Sequence, residues 1–369
     1  MTTPVAEIRE LCARALERDA LDEAALGRLL NADDEGAEEL YAAAREQRTR
    51  HFGDAVFLYG FVYFSTFCRN ACTFCYYRVG NPESPRYRKS PDEVVAICRD
   101  LAGSGVDLLD LTMGEDPVLL RDGAARLVEL VGAVRKATGL PVMVSPGVVD
   151  DEVLGELRRR GADWYALYQE THSPELYARL RVGQPFARRV ATRAAARAAG
   201  LLVEDGLLTG IGDAVADRAR SIATMRAGGW QQVRVMTFVP QAGTPLAGTP
   251  PPDDGDELRT IAVMRLAMPD RLIPASLDVD GIRGLERRLL AGANVVTSIV
   301  PPTTGLAGVS QSELDIEEGH RTVAGVLPHL ARLGLRHAGA AAYAAWVEEA
   351  RRGVGTEVAR PGAAWEARA

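Results

Sequence analysis

Three of the five cysteines in this chain fall within eight residues: Cys68, Cys72 and Cys75, in FSTFCRNACTFCYYR. Thiolates clustered this tightly, in an odd-numbered set, point to metal binding rather than disulfides. The spacing Cys-x3-Cys-x2-Cys supplies three irons of a 4Fe–4S cube and leaves the fourth iron without a protein ligand. An open iron can bind a small molecule and pass an electron to it directly. Two blander chemistries compete. A structural zinc ion wants four protein ligands, and His51 is the one histidine near the triplet. A simple electron carrier closes its cube with a fourth cysteine. Cys12 and Cys98 lie in helical patterns among apolar neighbours and read as buried, inert thiols. Phe74, between the last two cysteines, suits a hydrophobic wall over a cluster.

The elements that must position this triplet are legible around it. Residues 1–50 carry helical periodicity, as in LDEAALGRLL and GAEELYAAAREQR. From Val56 the pattern changes to short apolar runs alternating with Ala-, Leu- and Arg-rich helices. Strands are expected at 56–64, 108–113, 141–146, 163–168, 206–210, 232–238, 271–277 and 294–300. The intervening helices fall at 122–137, 150–160, 174–180, 186–199, 214–227, 254–267 and 281–290. The strands are continuous apolar runs, as in a parallel sheet covered by helices. Eight βα units predict an α/β fold of the (β/α)8 TIM-barrel type with an N-terminal helical extension. The expected division is 1–50 for the extension, 51–340 for the barrel, and 341–369 for a C-terminal helix and loosely ordered tail. The triplet then sits just after the first strand, at the rim where barrel active sites form.

Composition narrows the partners. Net charge is −7 with 25% charged residues, and no basic block exists to track a phosphate backbone. Nucleic acid is therefore not expected as a partner. The N-terminus lacks the apolar core of a secretory signal, and no apolar run is long enough for a bilayer. A cytoplasmic enzyme is expected.

CRNACTFC, on the loop after the first barrel strand, resembles the signature of radical S-adenosylmethionine enzymes. The resemblance runs from before the cluster to about residue 330, through LTMGEDP, LYQETH, EDGLLTGIGD, VRVMTFVPQAGTP and SLDVDG. Within that superfamily it is nearest to the 3-methylornithine synthase family of pyrrolysine biosynthesis, which belongs with biotin synthase and the hydrogenase-maturation radical enzymes. It implies that Cys68, Cys72 and Cys75 hold a 4Fe–4S cluster beside S-adenosylmethionine. Phe74 and Tyr76 would lie near the adenine, and Gly114 and Glu115 at the methionyl amino group. Gln169 and Glu170 would end the fourth strand near the cofactor's amino acid part, with Arg189 on its carboxylate. Asp110, Arg234, Ser276 and Asp278 match substrate-binding positions.

That last set also has a physical reading of its own. Each charged member interrupts an apolar strand run near its C-terminal end, and a buried charge needs a counter-charge from protein or ligand. Two aspartates and an arginine complement a diamino acid such as lysine, the arginine gripping its carboxylate. The alternative is an internal salt bridge of Asp110 or Asp278 with Arg234 or Arg283.

The chemistry implied by the resemblance is hydrogen abstraction by a 5′-deoxyadenosyl radical. L-Lysine would then rearrange to 3-methylornithine through a glycyl radical and an aminobutene, with flavodoxin or ferredoxin supplying the electron. A pyridoxal-dependent aminomutase is disfavoured, because Lys89 and Lys136 are the only lysines and neither lies at a strand end. Sulfur insertion is disfavoured because only Cys12 and Cys98 remain for a second cluster. The main rival is the same radical fold acting on another amino acid, with Met113, Val235 and Leu277 able to reshape the pocket. A non-catalytic iron–sulfur or zinc protein is the rival of a different class. His172 reads equally as a site residue or a hydrogen-bonded structural one. His320, His329 and His337 read as surface groups on C-terminal helices. Gly210–Asp213 reads as a ribose contact or a tight turn.

Overall fold

A computed structural model describes residues 2–17, 20–250, 252–253, 255–308 and 320–353. Three helices come first: α1 (Val5–Leu16), α2 (Glu23–Leu30) and α3 (Asp34–Phe52). Asp22 and Asp33 cap the second and third, accepting from Ala25 N at 2.7 Å and Gly36 N at 2.9 Å. β1 (Ala55–Ser65) is buried along its whole length. There follow α4 (Pro91–Ser104), β2 (Leu108–Met113), α5 (Arg121–Thr138), β3 (Val142–Ser145), α6 (Asp151–Arg159) and β4 (Ala162–Ala166). Next come α7 (Pro174–Leu180), α8 (Phe186–Ala198), β5 (Leu202–Thr209), α9 (Val215–Gly228), β6 (Gln232–Thr237) and α10 (Gly255–Ala267). The chain continues with β7 (Pro274–Ser276), α11 (Leu285–Leu290), β8 (Val295–Ile299), α12 (Val323–Arg332), β9 (Arg336–His337) and α13 (Ala340–Arg352).

The sheet runs β6-β5-β4-β3-β2-β1-β8-β7, and every pairing is parallel. β6 and β7 meet only through the bridge of Gln232 with Leu272, where Val233 N donates to Leu272 O at 3.0 Å. The barrel is thus nearly closed, an α/β fold of the TIM type. Apolar side chains on both faces of the strands fill one continuous core with the helices. Among the described residues, no helix is long and apolar enough to cross a membrane.

Four details depart from the sequence reading. β5 begins at Leu202, not 206, because Glu204 and Asp205 are buried in the strand on ionic partners. β7 is only three residues long. Residues 281–284 form a 3-10 turn before α11. His337 lies not on a helix but in β9, which pairs with β1, and its Nε2 meets Asp107 Oδ1 at 2.9 Å. The expected C-terminal tail lies outside the described residues from 354 onward.

α13 closes the N-terminal end of the barrel. Trp346 stacks on Trp164 at 5.9 Å and 4°, and Tyr343 meets Phe57 edge-on at 5.0 Å. The Tyr343 hydroxyl lies 2.8 Å from that of Tyr59, which donates to Gln232 Oε1 at 3.0 Å. The hydroxyls of Tyr59 and Tyr343 are therefore both paired within this plug.

Candidate active site

The segment after β1 has no regular structure of its own, so side chains must hold it. Arg86 does so with one guanidinium, donating to the carbonyls of Thr66, Tyr77, Arg78 and Asn81. Asn81 Nδ2 ties Tyr76 O at 2.9 Å to Ala242 O at 3.0 Å. Thr73 N donates to Leu180 O at 2.9 Å, stitching the cysteine loop to the end of α7. Gly114 allows the loop to pass over the end of β2: a Cβ there would stand 2.3 Å from Phe67 O and 2.9 Å from Cys68 Cβ.

Cys68, Cys72 and Cys75 all line one cavity of about 160 Å³ at the C-terminal mouth of the barrel. Phe74, Gly114, Glu115, Glu170 and Arg189 line it too. Burial pushes the Cys75 thiol far above its ordinary value, and the neighbouring Cys72 and Cys68 push it further. A thiol placed as Cys75 is becomes a thiolate only beside concentrated positive charge, which the irons of a cluster supply. Among the described residues, no three His, Cys, Asp or Glu side chains surround a position for a single metal ion. Three cysteines lining one cavity supply the three protein ligands of a 4Fe–4S cluster, each on a different iron. The donor set fits a 4Fe–4S cluster.

The far wall of the cavity comes from β4 and the segments after it. Glu170 stands at φ +69°, bridged to Leu207, and accepts from Arg181 at 2.6 Å. Burial raises its carboxyl above the ordinary range, while Arg181 and Arg189 pull it back. Glu115 accepts from Val148 N at 3.1 Å and Arg69 Nε at 3.1 Å, with Arg189 at 3.7 Å. Burial, then the charge of Arg181, lowers Arg189 to about 10. Two carboxylates and two guanidiniums on one rim complement the zwitterion of an α-amino acid. Tyr168 and Glu170 line the cavity, and Gln169 between them does not. Gln169 is fully buried instead, its N–H on Asp205 Oδ1 at 2.9 Å. Tyr76 also departs from expectation: its hydroxyl reaches Glu83 O, and Tyr77 takes the cavity wall.

A polar layer lies one step deeper in the barrel. Asp110 is fully buried two residues before Thr112, a cavity residue whose hydroxyl donates to Asp110 Oδ1 at 2.9 Å. Its Oδ2 has no protein partner. Burial first, and Glu204 second, raise the Asp110 carboxyl to about 7. Arg234 lies two residues before cavity-lining Met236, its Nε on Glu204 Oε1 at 2.8 Å. Its guanidinium stacks between Phe61 at 5.8 Å and Tyr168 at 5.4 Å, and one terminal nitrogen has no partner. Asp278 accepts from both Tyr63, at 2.7 Å, and Arg321, at 2.9 Å. Ser276 Oγ receives Asp278 N at 3.2 Å and lies 3.5 Å from Ser298 Oγ, whose residue stands at φ +64°. The internal pairings are thus Arg234 with Glu204 and Asp278 with Arg321, not with each other or Arg283.

Glu204, Tyr63, Tyr168, Arg181 and Arg321 carry this geometry and were not singled out by the sequence reading. For Glu204 the signal was present, as a charge beside an apolar strand. His172 proves to be a buried partner of Asp205, at 3.1 Å, away from the cavity. In GIGD, Asp213 accepts from Gly210 N and Ile211 N at 2.8 and 3.1 Å, which makes it a turn.

Residues 62–225 match the model of the radical SAM superfamily. The 3-methylornithine synthase of Methanosarcina barkeri is 48% identical over 304 residues, covering 82% of this chain and 86% of that protein. A crystal structure of methylornithine synthase superposes with a TM-score of 0.86 at 46% identity, over 91% of this chain and 99% of that one. The [FeFe] hydrogenase maturase subunit HydE of Thermotoga maritima is 30% identical over 293 residues, 78% of this chain and 82% of that protein. A barrel with a cysteine triplet at its C-terminal mouth is the architecture of a cluster enzyme that activates S-adenosylmethionine. The chain belongs to the radical SAM superfamily and, within it, to the 3-methylornithine synthase family. It is an enzyme that uses a 4Fe–4S cluster and S-adenosylmethionine.

Proposed function

We propose that this enzyme isomerises L-lysine to 3-methylornithine by rearranging its carbon skeleton. Cys68, Cys72 and Cys75 would hold the cluster. Phe74, Gly114, Glu115, Glu170 and Arg189 would surround S-adenosylmethionine, and Asp110, Arg234, Ser276 and Asp278 the amino acid. When bound, the cluster and cofactor supply one-electron chemistry that begins with hydrogen abstraction from the substrate.

The observation that carries the substrate is the orphaned pair in the deeper layer. Asp110 Oδ2 and one Arg234 terminal nitrogen are buried without protein partners. Buried polar groups of this kind are costly unless a ligand or ordered water satisfies them. The carboxylate suits an ammonium and the guanidinium suits a carboxylate. Two carboxylates, Asp110 and Glu204, against one guanidinium leave one net negative charge when Asp110 is ionised. Lysine, with two ammonium groups and one carboxylate, carries the matching single positive charge. Glu204 fixes Arg234 from behind, and the rings of Phe61 and Tyr168 keep water off its faces. Tyr63 and Arg321 hold Asp278 in one orientation. Such clamps keep a fragmenting substrate registered for recombination.

A one-electron reductant such as flavodoxin or ferredoxin would supply the electron, in a cytoplasmic setting. The test is amino-acid-dependent formation of 5′-deoxyadenosine by the reconstituted enzyme. L-Lysine should stimulate it, and L-norleucine, which lacks the side-chain ammonium, should not. Equal stimulation by norleucine would remove the diamino acid from this reading.

A further inference from the structure

The three cysteine sulfurs are not treated alike by their surroundings. Cys68 Sγ receives the backbone N–H of Asn70 at 3.4 Å. Cys72 Sγ, on a residue only 5% exposed, receives two side chains: Gln184 Nε2 at 3.1 Å and Arg181 Nη1 at 3.6 Å. Both donors come from the short connection between α7 and α8. Gly183, at φ +75°, turns that connection so that residues on either side of it reach back to the same sulfur. The hydrogen bond of Thr73 N to Leu180 O anchors the connection one residue from Cys72. Arg189 Nη1 lies 3.5 Å from Gln184 Oε1, which fixes the amide with its nitrogen toward the sulfur. The amide is therefore held as a donor, between a guanidinium on one side and the Cys72 sulfur on the other.

We propose that Gln184, together with Arg181, sets the reduction potential of the cluster through hydrogen bonds to the Cys72 sulfur. Reduction adds an electron whose charge spreads onto the sulfurs, so a donor aimed at a sulfur stabilises the reduced form more than the oxidised form. Removing the donor makes the cluster harder to reduce. This inference rests on the cluster site alone and is independent of which amino acid reacts.

The test is a spectroscopically monitored redox titration of reconstituted protein, without S-adenosylmethionine or substrate, with iron content measured in parallel. In Gln184→Leu the midpoint should move to more negative potential at unchanged iron content. In Gln184→Glu, where an acceptor of the same shape replaces the donor, it should move further in the same direction. Unchanged midpoints in the loaded variants, or a positive shift in Gln184→Glu, would overturn the proposal. The unsubstituted enzyme gives a reading that does not depend on variant loading. With 15N in its glutamine side chains, pulsed paramagnetic resonance of the reduced cluster should show a nitrogen coupling, and its absence would equally overturn it.

Discussion

Asp110 carries a pH dependence. Burial, reinforced by Glu204, places its carboxyl at about 7, above the ordinary 3.8. The folded, ligand-free protein therefore binds this proton more tightly than the unfolded chain does. The stability contributed by Asp110 is complete below the ordinary carboxyl range and is lost as pH rises through about 7. Lysine binding has the opposite need, because only the ionised carboxylate pairs with an ammonium. kcat/KM for lysine should rise with pH through about 7, and Asp110→Asn should lower it more than tenfold and flatten that rise. An unchanged pH profile in the variant would detach Asp110 from the substrate. The cysteine triplet was legible because its information is local, three residue types at fixed spacing. The fate of Tyr76 against Tyr77 was not, because a loop has no periodicity to say which ring faces inward. Nor was Gln169, because the chain beyond β4 leaves the extended form at Glu170, φ +69°, where strand alternation gives no guide.

At the scale of elements, the C-terminal end of β2 and the cysteine loop are built for mutual close approach. A Cβ at Gly114 would collide with Phe67 O and Cys68 Cβ, neither of which is the free end of a flexible side chain. Gly114→Ala should therefore displace the loop, cutting iron per protein by more than half, while circular dichroism stays that of the native barrel. Full iron content in this variant would show that the loop tolerates the shift. Most strands were readable as apolar runs. β5 was shortened in the reading because Glu204 and Asp205 look like loop residues until Arg234 and Arg193 are known to face them. Those partners lie on other elements, so no local pattern announces them. β7 reads as longer in the sequence because Leu272 and Ile273 are buried and apolar, yet Leu272 joins β6 through a single bridge and Ile273 joins the chain before β8 through one backbone bond from Asn294 N.

Across the whole molecule, the reaction end and the stabilising end of the barrel are separate. The cavity opens at the C-terminal mouth, and α13 seals the opposite end with Trp346 and Tyr343. Trp346→Ala should destabilise the fold by about 3–5 kcal/mol, the usual cost of removing a buried tryptophan. A lowered thermal midpoint is expected, with cluster content and turnover at low temperature retained. Parallel loss of iron and fold would mean that the two ends are coupled. The plug was not foreseen as such, since a helix rich in alanine at residues 340–352 looks like any surface helix until its aromatic residues meet β1 and β4. The chemistry of the site rests on one conversion, and it can be observed directly. Reconstituted enzyme should be given dithionite, S-adenosylmethionine and uniformly 13C-labelled L-lysine under anaerobic conditions, with the amino acids then derivatised and separated. A new labelled peak, equal in mass to lysine, shifted in retention and dependent on enzyme and cofactor, is expected. 5′-Deoxyadenosine formed without that peak would contradict lysine isomerisation and leave a radical enzyme with a different substrate.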